Sequence, residues 1–332
     1  MTPFEFRYPP TGAGRPQVLL IGNGLERTEG QPDWWALVDS MRHPERASLS
    51  EKERDALPFP LLYQLLSTPE PTPPRMGAAA VTAEEKRLAE GLSKLRHLSN
   101  PLLDRLPTLG ADHILTTNYS YCLEAAFFPR LDFTRSTSRS AKRFCLLPPD
   151  ENGKRPRETA YRLHTGYAAR NADGGSVGLW HIHGEVSVPR GVVVGHDRYG
   201  RLISRMVAVC GAETPHRRET ERRAFRSWPE LFLFGDVYVL GQGFALCEHD
   251  LWWLLRRKQR ERYADGRVYF YDNGDESRPD VRLRRQLLEA HGVLVNPDHV
   301  RDPDYTAFYH AAMDAIAARI QANRAAAKTE PT

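Results

Sequence analysis

Cysteine is scarce in this chain and never paired in sequence. The 332 residues hold four, Cys122, Cys145, Cys210 and Cys247, and no two lie within four positions of one another. That spacing excludes a CxxC pair, the usual start of a structural zinc site. No apolar run approaches the length of a membrane span, so no membrane partner is expected. Residues 1–15 contain Pro9, Pro10 and two glycines but no apolar signal core, which leaves the cytoplasm as the expected location. In that compartment disulfides are not expected either. Charge of one sign is also lacking. The formal net charge is +4, too small to demand nucleic acid. Basic clusters do occur, at Arg217-Arg218, Arg222-Arg223 and Arg256-Arg257-Lys258. They are interleaved with Glu219, Glu221 and Glu261 and read as solvated helix faces.

What remains is ordinary globular material, 41% hydrophobic and 27% charged, organised as strands alternating with helices. Strands are expected at residues 17–21, 114–117, 177–182, 192–194, 237–240, 268–271 and 293–295. Helices are expected at 32–41, from 50, and at 82–95, 119–127, 198–209, 213–228, 247–262, 281–290 and 305–325. This alternation predicts an α/β fold, a Rossmann-like doubly wound parallel sheet. A helical insertion is expected at about 44–109 and an irregular lobe covering the cleft at about 131–178. The expected organisation is an arm at 1–16, one domain at 17–325 and a frayed tail from 326. Four prolines in residues 69–74 mark an exposed loop. The stripe Phe308, Ala312, Ala315 and Ile316 suits packing of the last helix against its own domain.

Four short motifs carry chemistry. An apolar strand runs into Gly22-Asn23-Gly24, a turn whose backbone N–H groups can receive a pyrophosphate; a tight βα turn without ligand explains it equally well. Thr116-Thr117-Asn118-Tyr119 sets an amide at a strand's carboxyl end, where it can hold ribose hydroxyls or a water; a helix N-cap is the alternative for Asn118 and Ser120. His181-Ile182-His183-Gly184 places two imidazoles two apart, hence on one side of an extended strand. Either can serve as general base near neutral pH; a pair of core histidines satisfied by carbonyls is the alternative. Gly241-Gln242-Gly243-Phe244 is a second glycine turn, followed by Asp250, Trp252 and Trp253, the tryptophans being expected as core anchors. Asp272 ends a further strand and is either a ribose acceptor or a turn residue in Asp272-Asn273-Gly274.

The order of these motifs, GNG, TTNY, WHIHG and GQGF followed by D-L-W, resembles the sirtuin-like family, and more narrowly its zinc-free bacterial branch of NAD-cleaving anti-phage effectors. The resemblance is an ordered scatter of motifs over about residues 17–300. It implies NAD as substrate, no metal, and hydrolysis of the nicotinamide–ribose bond, with Asn118 orienting ribose and water and His183 as general base. His181 is the reserve candidate for that role. Gly22, Asn23, Gly24, Thr117, Gly241, Gln242, Gly243 and Asp272 would line the NAD cleft. Three positions depart from the family pattern. Where GAGxS is usual, this chain reads Gly22-Asn23-Gly24-Leu25-Glu26, and Ser120 stands where an Asp usually follows the asparagine. The four-cysteine zinc module of deacetylating sirtuins is missing, which argues against deacetylation. The alternatives are an NAD- or ADP-ribose-sensing subunit and an NAD-dependent deacylase or ADP-ribosyltransferase. An unrestrained NAD hydrolase would be toxic, so control by a partner protein or by homo-oligomer assembly is expected.

Overall fold

The computed structural model describes residues 14–71, 75, 77–95, 100–128, 143–147, 151–152, 158, 160–211, 225–261 and 266–329. The expected N-terminal arm and the expected helix at 213–228 lie mostly outside these residues. So do the arginine clusters at 217–218 and 222–223.

Eight strands form one sheet: β1 (Gln17–Ile21), β2 (His113–Thr116), β3 (Arg143–Cys145), β4 (Thr165–Arg170), β5 (Ser176–His181), β6 (Asp236–Leu240), β7 (Val268–Tyr271) and β8 (Val293–Val295). Their order is β3-β4-β5-β2-β1-β6-β7-β8. Strands β5, β2, β1, β6, β7 and β8 pair in parallel, the doubly wound arrangement of a Rossmann-like sheet. The sheet is nevertheless mixed. Strands β3 and β4 pair antiparallel at the β5 edge, so the described strands of the segment expected as an irregular lobe extend the sheet. The expected strand at 192–194 is not one. Val192, Val193 and Val194 are fully buried, but the run is extended coil, and the Val193 amide donates to the carbonyl of His183 at 2.8 Å.

Alternation along β1 shows why both faces are covered. Leu19 and Ile21 enter one apolar cluster with Phe308, Ala312, Met313 and Ile316 of the closing helix, Tyr305–Thr329. Val18 and Leu20 enter another with residues of the helices His196–Cys210, Trp228–Phe234 and His249–Arg260. Successive side chains point to opposite faces, and every residue of β1 is buried. The stripe of the closing helix therefore packs within its own domain. Trp252 and Trp253 are only half-buried against the second cluster, and Trp252 donates to the Ala245 carbonyl at 3.1 Å; they sit at the rim of the core rather than anchoring it. Between β1 and β2 the chain forms the helices Trp34–Ser40, Glu51–Asp55, Phe59–Ser67 and Ala78–Leu92. Three of these bury a third cluster that includes Leu37, Tyr63, Leu88, Tyr119 and Val192.

One buried lysine, whose pKa burial lowers to about 7, ties the second layer together. Lys258 Nζ donates to the carbonyls of Phe232, Leu233 and Gly235 at 3.0, 2.8 and 2.7 Å, capping the end of Trp228–Phe234, where cations are favoured. Lys258→Met removes three donors and leaves buried acceptors unmet, each costing about 1–3 kcal/mol. A loss of about 2–4 kcal/mol is expected in denaturant unfolding; an unchanged midpoint would show that the cap contributes nothing.

Candidate active site

Strand order reverses at β1 and β6, and ligands of open α/β sheets bind beyond the carboxyl ends of strands at such a point. All four motifs emerge there. Their backbones interlock closely. Gly22 N–H donates to Leu240 O at 3.0 Å and Gly24 N–H to Gly241 O at 2.8 Å. A Cβ on Gly22 would lie 2.5 Å from the Gly241 oxygen, and one on Gly24 2.5 Å from the Tyr309 hydroxyl. These glycines let the turns after β1 and β6 touch, and their two N–H groups are already spent on that contact. Gly241 has φ +69°, a conformation that favours glycine. Gly243 N–H donates to Gln242 Oε1 at 2.6 Å. Asn23 Nδ2 donates to Pro32 O at 3.3 Å.

Asn118 does not cap the helix that follows. That helix is Cys122–Phe127, its N-cap is Tyr121, and it has no side-chain cap. Instead Asn118 Nδ2 donates to Glu26 Oε1 at 2.7 Å, and Ser120 Oγ donates to Glu26 Oε2 at 2.7 Å. Two of the departures from the family motif, Glu26 and Ser120, are thus partners in one hydrogen bond. Glu26 is 4% exposed. Burial pushes its carboxyl pKa up, against the lowering pull of Ser120 and Asn118. Asn118 Oδ1 is buried without a partner among the described residues. Asn23, Glu26, Trp34, Asn118, Tyr119 and Ser120 line one cleft.

The two histidines diverge rather than sharing a side. Strand β5 ends at His181, so the alternation stops before His183. His181 lies against the rings of Tyr121 and Tyr167, with Nδ1 on the Asn118 carbonyl at 2.8 Å and Nε2 on Glu124 Oε1 at 2.8 Å. Both its nitrogens are occupied. His183 turns to the other layer, edge-on to Tyr199, with Nε2 on Asp250 Oδ2 at 2.9 Å. Among the described residues its Nδ1 has no hydrogen-bond partner. Gly184, at φ +90°, permits this turn, since a Cβ there would lie 2.3 Å from the Gly191 oxygen. Burial opposes charge on His183, but Asp250 and then Glu248 outweigh it and raise the imidazole pKa. Burial pushes Glu248 up to about 7, with His183 pulling down and Asp250 adding to the rise. Gln242 Nε2 joins Glu248 Oε1 at 2.9 Å and Thr117 Oγ1 at 3.3 Å, which connects the His183 side to the Asn118 strand end. Asp272 lies elsewhere at the sheet's end. Its carboxylate takes Arg285 Nε at 2.9 Å and the Gly274 N–H at 3.1 Å, a turn and ion-pair arrangement.

Residues 112–236 match the family model described as a SIR2-like domain. Over that stretch the chain is similar to the SIR2-like family. The match begins one residue before β2 and ends on the first residue of β6. It takes in Asn118, His181 and His183 and leaves out the glycine turns and Asp250. No curated protein matches the chain. The similarity is consistent with the α/β fold and fits NAD-related activity broadly. Among the described residues, no group of three or more His, Cys, Asp or Glu side chains is placed to hold a metal ion, and no helix is long and apolar enough to cross a membrane.

Sequence reasoning missed Glu26, Glu124 and Glu248. Glu26 and Glu124 sit in short helices and Glu248 stands at the start of one, where a glutamate reads as a solvated residue, yet all three are buried. The one signal present was Glu26 itself, standing where the family usually has serine.

Proposed function

We propose that this SIR2-like domain hydrolyses NAD at the nicotinamide–ribose bond. The observation that carries the reading is a pair of unfilled acceptors beyond the ends of β2 and β5. These are the unpartnered Oδ1 of Asn118 and the open Nδ1 of a His183 whose other nitrogen rests on Asp250. Water attacks the anomeric carbon of the ribose, the bond to nicotinamide breaks with its electron pair, and the water proton passes to His183. The products are nicotinamide, ADP-ribose and a proton. Asn118 accepts a hydrogen bond from the ribose or the water and holds it for attack. Thr117, Gln242 and the turn at Gly241 and Gly243 support the same rim. The engaged N–H groups of Gly22 and Gly24 leave Asn23 as the polar group of that turn facing the cleft. His181, occupied on both nitrogens, is a positioning group for Asn118 rather than the base.

Incubation with NAD alone tests this. Nicotinamide and ADP-ribose released without a protein acceptor are expected. Binding without release would make the chain a sensing subunit, and release only with an acylated or acceptor protein would make it a deacylase or transferase. Turnover is expected to persist in chelator; loss restored by zinc would reveal a metal site. The defence role belongs to the same reading and rests on the family resemblance. So does control by a partner protein or by self-association. Full, concentration-independent cleavage by a strict monomer would exclude control by assembly.

A further inference from the structure

We infer that Glu26 is a positioning residue that sets the polarity of the cleft by locking the side-chain amide of Asn118 with its oxygen free. An amide has one accepting and one donating end, and its neighbours decide which faces a ligand. Here the neighbour is a carboxyl group. Glu26 Oε1 accepts Asn118 Nδ2 at 2.7 Å while Oε2 accepts Ser120 Oγ at 2.7 Å. A carboxylate offers acceptors and no donor, so the Nδ2 end of Asn118 is the end drawn to Glu26. The backbone of Asn118 is pinned as well, its N–H on Thr116 Oγ1 at 3.1 Å and its carbonyl on His181 Nδ1 at 2.8 Å. With three anchors made, Oδ1 is the end left over. It is buried and unpartnered among the described residues, in a residue that lines the cleft.

A buried acceptor without a donor is costly, so the group that fits brings a donor: a sugar hydroxyl or a water. Glu26 is held in place by the glycine turn. It is the third residue of the helix Gly24–Arg27. The preceding Leu25 carbonyl is fixed by Asn100 Nδ2 at 2.7 Å. The turn after β1 thereby aims a carboxyl group at the asparagine.

The inference rests on the NAD-cleavage reading for its kinetic arm alone, and the test separates the two. Glu26→Gln introduces a competing amide that can donate to Asn118, so the asparagine turns its NH₂ end to the cleft. Cleavage is expected to fall about 10–100-fold, the scale of a misplaced positioning group, in kcat more than in KM. Asn118→Asp alone sets two carboxyl groups face to face and is expected to be weaker still. The double variant Glu26→Gln with Asn118→Asp presents an accepting oxygen to the cleft again and is expected to regain activity over either single change. A double variant no better than Glu26→Gln, or a Glu26→Gln protein with wild-type kcat, overturns the inference. The second measurement needs no turnover. In the full chain labelled with ¹⁵N-asparagine, the Asn118 amide protons are expected to be protected from exchange, and to lose that protection in Glu26→Gln. Unprotected amide protons in the native protein, or protection unchanged in Glu26→Gln, overturn the inference even if NAD is cleaved. Protection lost as expected in a protein that cleaves no NAD upholds it and overturns the catalytic reading instead.

Discussion

Alanine at Asn118 or at His183 is expected to remove most NAD cleavage, by about 10²–10⁴-fold, the usual cost of losing a positioned base or orienting group. The protein should stay folded, because neither side chain belongs to an apolar cluster. His183→Ala does leave Asp250 buried opposite a void, and Asp250 is 0% exposed. His183→Gln is therefore the companion variant, since its amide can still donate to Asp250 while lacking a basic nitrogen. Steady-state nicotinamide release with circular dichroism checks both. Normal turnover by His183→Ala would end the assignment of the base. A dead His181→Ala protein beside an active His183→Ala would move the base by two residues. The geometry expects His181→Ala to act differently, through stability, because it strands the fully buried Glu124.

Asp250→Asn should slow cleavage about 10–100-fold, as expected when a base loses the group that orients it, and it should also move the pH profile. The sign follows from the surroundings of His183. Burial lowers the imidazole pKa, but the charge and hydrogen bond of Asp250 together with the Glu248 charge more than offset it, and the result is a raised value. A base works deprotonated, so wild-type kcat should climb on the alkaline side of the ordinary histidine range near 6.5. Without the Asp250 charge the imidazole gives up its proton more easily, and the rising limb should shift to lower pH. A limb that stays in place while the rate falls would mean that Asp250 acts on something other than His183. Glu248, which burial pushes up to about 7, titrates in the same window. Glu248→Gln is therefore the control. Its amide oxygen can still accept from Gln242 Nε2 or the Ala245 N–H, which both donate to Glu248, and the limb should move to lower pH by less than in Asp250→Asn, since Glu248 contributes less than Asp250 to raising the imidazole.

Much of the architecture was legible because one physical rule produces it. Strands buried on both faces read as unbroken apolar runs, and β1, β6 and β7 do so. Glycines follow β1 and β6 where two turns must touch, and that need is local enough to leave a mark in sequence. The strand ends carrying Asn118 and His181 were legible for the same reason. The mixed edge was harder, because β3 and β4 lie in a stretch broken by proline, arginine and glycine, and their pairing depends on a neighbour rather than on their own pattern. Val192 to Val194 misled in the opposite sense. Burial alone makes an apolar run, with or without a ladder of hydrogen bonds.

The sequence by itself determined the fold class, the order of the motifs and the end of the sheet at which they gather. Only the tertiary structure decided what each motif touches. Local periodicity specifies which way a side chain leaves a strand, and at His183 the strand has already ended, so the two histidines part. Hydrogen-bond partners are set by approach in space: Glu26 meets Asn118 from 92 positions away and Asp250 meets His183 from 67. No pattern along the chain encodes those distances. They arise when the sheet's strand order brings the ends of β1, β2, β5 and β6 to one rim.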